Sequence, residues 1–111
     1  MIKDYAALSE DALEMVAARF RVLGEPMRLR LLQELTSGER TVSELVERMG
    51  ATQANVSKHL SLLVQAGLVY KRREGVNIYC GIADESIFKL CGIVCGGLRK
   101  QFSSQAREME R

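Results

Sequence analysis

The segment Ala51–Val69, ATQANVSKHLSLLVQAGLV, constrains what this chain can fold into more than any other. Thr52 is a helix cap by type, because its hydroxyl accepts a hydrogen bond from an otherwise unpaired amide of the first turn. Val56, Leu60 and Leu63 recur at helical spacing as a buried stripe, and Gly67 supplies the stop. The opposite face carries Gln53, Ala54, Ser57, Lys58 and Ser61, with many hydrogen-bonding groups, little apolar area and one charge. A helix that meets only water usually carries more charge. Gln and Asn pair with adenine in a bidentate way, Ser with several bases, and Lys with guanine or phosphate, so this face has the chemistry of a helix that reads DNA. The plainer alternative is a solvated helix in a protein-interaction module.

The residues on either side agree with that reading. Thr41-Val42-Ser43-Glu44 is a capping box, in which the threonine caps forward and the glutamate reaches back. It opens a short helix with Val42, Leu45, Val46 and Met49 inward, and Met49-Gly50-Ala51 makes a tight turn. Residues 41–66 therefore have a helix-turn-helix pattern. Upstream, after an N-terminal arm at 1–9, Ser9 caps a helix over 10–23 whose apolar stripe is Leu13, Val16, Ala17, Phe20 and Leu23, ended by Gly24. Pro26 suits the first turn of a second helix, where no amide partner is lost. Met27, Leu31, Leu32 and Leu35 form its buried side, and Gly38 closes it.

After Gly67 the residues become strand formers. Segments 68–73 and 76–82 flank a Glu74-Gly75 turn, giving a hairpin wing over 68–82 with Lys71, Arg72 and Arg73 near its tip. Beside a recognition helix, such a wing places cations on phosphates or in the minor groove. Asp84 can cap a last helix over about 84–106, with a fraying tail. The expected fold is one mainly α domain, 1–111, of order α-α-α-α-β-β-α with a small β-hairpin wing.

Composition narrows the classes. A chain of 111 residues, 47% hydrophobic and 27% charged, suits one globular domain. No apolar run approaches the ~20 residues that span a bilayer, and the first residues lack an apolar signal core, so a cytoplasmic protein without a membrane partner is expected. The net charge of +2 says little; the placement of Lys58 and of residues 71–73 says more. Paired catalytic carboxylates, a nucleophile–histidine–acid set and a phosphate-binding glycine loop are all missing, which argues against an enzyme.

Taken together, LGEPMRLRLLQEL, TVSELVERMGATQANVSKHLSLLVQAGLVYKRREGVNIY and a closing helix resemble the ArsR/SmtB family of winged-helix repressors across residues 13–102. The resemblance implies a homodimer, held by helices 10–23 and 84–106, on a pseudo-palindromic double-stranded DNA operator. It implies that Gln53, Asn55, Ser57, Lys58 and His59 belong to the DNA-contacting helix, with Arg72 and Arg73 in the wing. Thr52, Ala54, Ser61 and Lys71 complete the candidate DNA surface by position. His59 has two readings, a DNA contact or packing beside Leu60 and Leu63. Glu25 stands where the family usually has aspartate, a better helix cap.

Effector chemistry is read from the cysteines. Relatives that bind thiophilic ions through cysteines at the start of the third helix differ here, since this chain has Thr41, Val42 and Ser43. A last-helix histidine–carboxylate zinc site is also missing, as His59 is the only histidine. Cys80, Cys91 and Cys95 remain as candidate metal or redox residues, no cofactor being required for folding. Cys91 and Cys95 share one helix face with Ile87, Phe88, Val94, Leu98 and Phe102, so plain packing is the simplest reading. Cys80 alternates with Ile78 and Ile82 on an inward strand face, which would let three sulfurs converge. Gly92, Gly96 and Gly97, each costing about 1 kcal/mol in a helix, suggest close helix approach across a dimer or a segment that deforms.

Helix neighbours four apart have Cβ atoms ~5–6 Å apart, whereas a disulfide wants ~3.5–4.5 Å. A direct Cys91–Cys95 disulfide would strain the helix. An ion held by thiolates needs no such closure, so the expected effector is As(III), Sb(III) or another thiophilic ion. Redox or reactive-sulfur sensing by the same thiols is the alternative.

Overall fold

The structure, a computed structural model, describes residues 5–103. Its elements are α1 (Glu10–Leu23), α2 (Pro26–Glu34), β1 (Arg40–Thr41), α3 (Val42–Met49), α4 (Gln53–Gln65), β2 (Val69–Glu74), β3 (Asn77–Ile82) and α5 (Ser86–Gln101). This is a winged helix-turn-helix, with these five helices and an antiparallel sheet of order β1-β3-β2 among the described residues.

Local chemistry sets most boundaries. Ser9 accepts from the Ala12 amide at 3.1 Å, and Thr41 and Glu44 close the reciprocal capping box. Glu25, though longer than the usual aspartate, caps α2 by accepting from the amides of Met27 and Arg28. Gly50 and Gly67 both adopt positive φ, which lets α3 and α4 end abruptly. After α4 the Leu68 amide bonds the Leu63 carbonyl, and the chain turns directly into β2.

Three expectations are corrected. The sheet has a third strand, because Arg40 and Thr41 pair with Cys80 and Tyr79; two residues are too few to show a period of two. The hairpin turn is Gly75-Val76 rather than Glu74-Gly75, since positive φ at the first loop position followed by a negative one fits a type II′ turn. The last helix is regular from Ser86 rather than from 84: Asp84 does cap it, its carboxylate accepting from the Ser86 amide, and Glu85 between them is already in the right-handed helical region. Its expected continuation beyond residue 103, like the arm's first four residues, lies outside the described residues.

The core sits between α2, α3, α4 and the inner face of the sheet, with Leu31, Leu45, Val56, Leu60, Leu63, Leu68 and Cys80 fully enclosed. By contrast, α1 contributes only Leu23 to it and α5 only Ile87. Leu13, Val16, Phe20, Ile93, Val94 and Leu98 remain exposed on those two helices. The radius of gyration, 15.9 Å, exceeds the roughly 13 Å expected of a compact chain this long. No helix among the described residues is long and apolar enough to cross a membrane.

Candidate nucleic-acid interface

Helix α4 is anchored by Val56, Leu60 and Leu63, which turns its polar side outward. Gln53, Ala54, Asn55, Lys58 and Ser61 are exposed, and Ser57 is half-buried. Thr52 is exposed as well, but its hydroxyl is committed to the Asn55 amide at 3.1 Å, so it sets the start of the helix. The Asn55 side chain lies 3.6 Å from the Met27 sulfur.

His59 lies apart from this group. Its side chain is 12% exposed, with Nδ1 3.1 Å from Arg28 Nη1 and 3.9 Å from the Glu25 carboxylate. Arginine only donates, so Nδ1 accepts and the ring proton belongs on Nε2. The imidazole thus joins α4 to the start of α2. Of the two readings given to it, packing within the molecule is the one this geometry favours.

Strand alternation divides the basic run of the wing. In the β2–β3 register Lys71 pairs with Cys80, Arg72 with Tyr79 and Arg73 with Ile78. Residues directly opposite share a face, so Lys71 and Arg73 stand on the same side as Cys80 and Ile78, which is the helix side. Lys71 there lines a groove with Gln53, Ser57, Asn77 and Ile78, between the wing and the start of α4.

Arg72 points to the other face. Its Nε and Nη2 donate to both carboxylate oxygens of Glu39 at 2.8–3.1 Å, its Nη1 donates to Glu74 at 2.6 Å, and it lies 4.5 Å over the Tyr79 ring. The Arg72 guanidinium and then the Tyr70 hydroxyl hold the Glu39 carboxyl at about 2, down from an ordinary 4.5.

The sulfurs separate into two environments. Cys80 is fully buried in the core, and burial pushes its thiol up, with Lys71 opposing the shift more weakly. Cys91 and Cys95 are half-buried and line an apolar groove with Phe20, Leu23, Leu29, Leu90, Val94 and Leu98, between α1, α2 and α5. Among the described residues no group of three or more His, Cys, Asp or Glu side chains is arranged to hold a metal ion. The expected convergence of three sulfurs in one chain is therefore corrected. The inward strand face that carries Cys80 is closed over by the core itself.

Two residues that sequence patterns did not single out organise the site. Glu39 anchors the wing through Arg72. Arg19 of α1 donates to the Ala66 carbonyl at the end of α4 at 2.6 Å and to Asp84 at 3.3 Å. Neither has a local signal, since each acts on residues more than thirty positions away.

The sequence and fold are similar to those of known proteins. A helix-turn-helix domain family matches residues 23–72. Over 77 residues, 69% of this chain, the sequence is 43% identical to the "Probable mercury resistance operon repressor" of Streptomyces lividans. The chain spans 62% of that relative's length and 64% of another curated regulator's, less than two thirds in each case. The crystal structure of Mycobacterium tuberculosis Rv0081 superposes with a TM-score of 0.78 at 32% identity, covering 87% of this chain and 98% of that one. The solution structure of Mycobacterium bovis Mb0332 covers 89% and 94% with a TM-score of 0.75 at 30% identity. It is described as a homodimeric winged helix-turn-helix DNA-binding domain of "a possible ArsR-family transcriptional regulator".

Proposed function

This chain belongs to the ArsR/SmtB family of winged helix-turn-helix transcriptional repressors, and from that premise we propose that it acts as a homodimer that occupies a pseudo-palindromic operator. The observation that carries this reading is the exposed polar side of α4, held outward by a fully buried opposite side. Gln53 and Asn55 have the donor–acceptor pairs that suit adenine, Ser57 and Ser61 suit several bases, and Lys58 suits guanine or phosphate. Lys71 lines the groove beside that helix, and Arg73 stands on the same face of the wing.

The dimer uses the apolar side of α1 and α5. Phe20 is 54% exposed and Ile93 73% exposed in the single chain, and large apolar side chains left open on both helices suit a partner's surface. A Cβ built at Gly92, Gly96 or Gly97 meets nothing within 4 Å, so these glycines leave room for a second helix rather than serving packing inside the chain. Such a dimer sets the distance between two α4 helices, which must reach successive major grooves ~34 Å apart.

The effector reading rests on Cys91 and Cys95, which are one helical turn apart in the α1–α5 groove. A soft ion taken by two thiolates needs only this pair, and the mercury-resistance name of the Streptomyces relative favours a thiophilic ion. As(III) or Sb(III), with three sulfur ligands, requires a further thiol from the second chain. Binding there would repack the dimer face and shift the spacing of the α4 helices. A bias of a few kcal/mol is enough to release DNA.

Fluorescence anisotropy on duplex DNA across a salt series tests the first part. Affinity should fall steeply with salt, and Lys58→Ala should reduce the slope by about one unit. Absence of salt-dependent duplex binding would return the protein to the interaction-module reading. Titrating arsenite, antimonite, mercuric ion and a peroxide against the DNA complex tests the second part. Loss of the response in Cys91→Ser and Cys95→Ser, but not in Cys80→Ser, is expected. An unchanged response in all three makes the cysteines packing residues.

A further inference from the structure

The outer face of the sheet carries a cluster that the DNA-reading side does not explain. We propose that Glu39, Tyr70, Arg72 and Gly81 form a clamp that fixes the pitch of the wing relative to the helix-turn-helix. In that role Arg72 is a positioning residue and not a phosphate contact. The proposal rests on the DNA-binding reading above and assigns the cations of the wing to different tasks.

The register explains why these four residues meet. Arg40 pairs with Cys80, so one residue earlier Glu39 comes opposite Gly81, and Gly81 pairs with Tyr70 on the far strand. The row across the sheet is therefore Glu39, Gly81, Tyr70. A Cβ on Gly81 would lie 2.3 Å from the Tyr70 hydroxyl oxygen and 2.4 Å from its ring. The missing side chain is the space through which Tyr70 crosses β3 and donates to Glu39 at 2.5 Å. In the next row, Arg72 reaches over Tyr79 to grip the same carboxylate with the Nε–Nη2 edge of its guanidinium. Glu39 is thus held by two residues of β2 while standing immediately before β1, and β1 runs without a break into α3. The backbone pairing of β1 with β3 already joins the wing to the first helix of the helix-turn-helix, and this carboxylate adds a side-chain tie from β2, the far strand.

Alternation makes the division of labour unavoidable. Lys71 and Arg73 stand on the groove side, and Arg72 cannot join them without leaving Glu39. Its guanidinium also has a second carboxylate, Glu74, so a phosphate arriving there would meet two acids.

The two roles predict opposite results for one substitution. If Arg72 touched phosphate, Glu39→Gln would free it, remove a repelling charge and tighten DNA binding. As a clamp, Glu39→Gln loosens the wing and weakens binding. The experiment measures anisotropy of the full chain on a mixed-sequence duplex of about three helical turns across a salt series. Lys71→Ala and Arg73→Ala should each lower the salt slope by about one. Arg72→Lys, Arg72→Ala and Glu39→Gln should each weaken binding by roughly three- to five-fold with the slope unchanged. The double variant Glu39→Gln/Arg72→Ala should be no worse than either single. Lysine keeps the charge but not the bidentate grip, so full affinity in Arg72→Lys overturns the clamp. A reduced slope in Arg72→Ala, or tighter binding by Glu39→Gln, overturns it too. Circular dichroism melts confirm that each variant is folded. If the unaltered chain shows no salt-dependent duplex binding, the DNA reading falls and the clamp's role falls with it. Intact binding with a reduced Arg72→Ala slope removes the clamp alone.

Discussion

The Arg19 guanidinium donates to the Ala66 carbonyl at 2.6 Å, and with its other nitrogen to Asp84 at 3.3 Å. One side chain of α1 thereby closes the C-terminal end of α4 and holds the segment that starts α5. A cation at that end also opposes the negative end of the helix dipole. The two helices assigned to dimerisation are in this way tied directly to the helix assigned to DNA.

Arg19→Ala should lower stability by about 1 kcal/mol, a charge-assisted hydrogen bond discounted for its half-exposed setting. A thermal melt that falls by a few degrees is the expected result. The same variant should bind DNA but respond less to ligands at Cys91 and Cys95, because the link from α5 to α4 is gone. An unchanged response would place the coupling elsewhere.

Acid should weaken the wing in a defined window. Glu39 is held at about 2 against an ordinary 4.5, so its contribution is fully present above about 4.5 and disappears as pH falls toward about 2. Thermal stability measured between pH 6 and pH 2 should decline across that window, and Glu39→Gln should flatten part of the decline. Gly81→Ala should raise the Glu39 pKa, seen by carboxyl NMR titration, because Tyr70 is displaced and one donor is lost.

Thiol labelling should separate the cysteines. Cys80 is buried and its thiol is pushed up, so it should resist alkylation at neutral pH until the protein unfolds. Cys91 and Cys95, half-buried in the groove, should label first by mass spectrometry. Rapid labelling of Cys80 in folded protein would contradict its place in the core.

Charge on the α1 face should break the dimer. Phe20→Glu places a carboxylate among the exposed apolar side chains of α1 and should shift the chain to monomer by sedimentation or scattering, weakening association at least about ten-fold. Its fold should survive, since Phe20 is outside the buried core. A Phe20→Glu protein that remains dimeric would assign the interface to other residues.

Much of the fold could be read in sequence because its signals are local. Caps at Ser9, Thr41 and Thr52, the glycines after α3 and α4, and the spacing of Val56, Leu60 and Leu63 all act within a few residues of themselves. For the same reason the candidate reading face was visible as a row of polar residues on one helix. Tertiary structure decided what depends on distant partners. It paired the two-residue strand β1 with β3, turned His59 toward Arg28, buried Cys80 away from the groove of Cys91 and Cys95, and gave Arg72 to Glu39. A run such as Lys-Arg-Arg states its charge but not its division between two sheet faces, because that division is set by strand pairing and by an acid, Glu39, more than thirty positions away. Sequence periodicity reports the environment a residue needs; only the folded chain determines which residue supplies it.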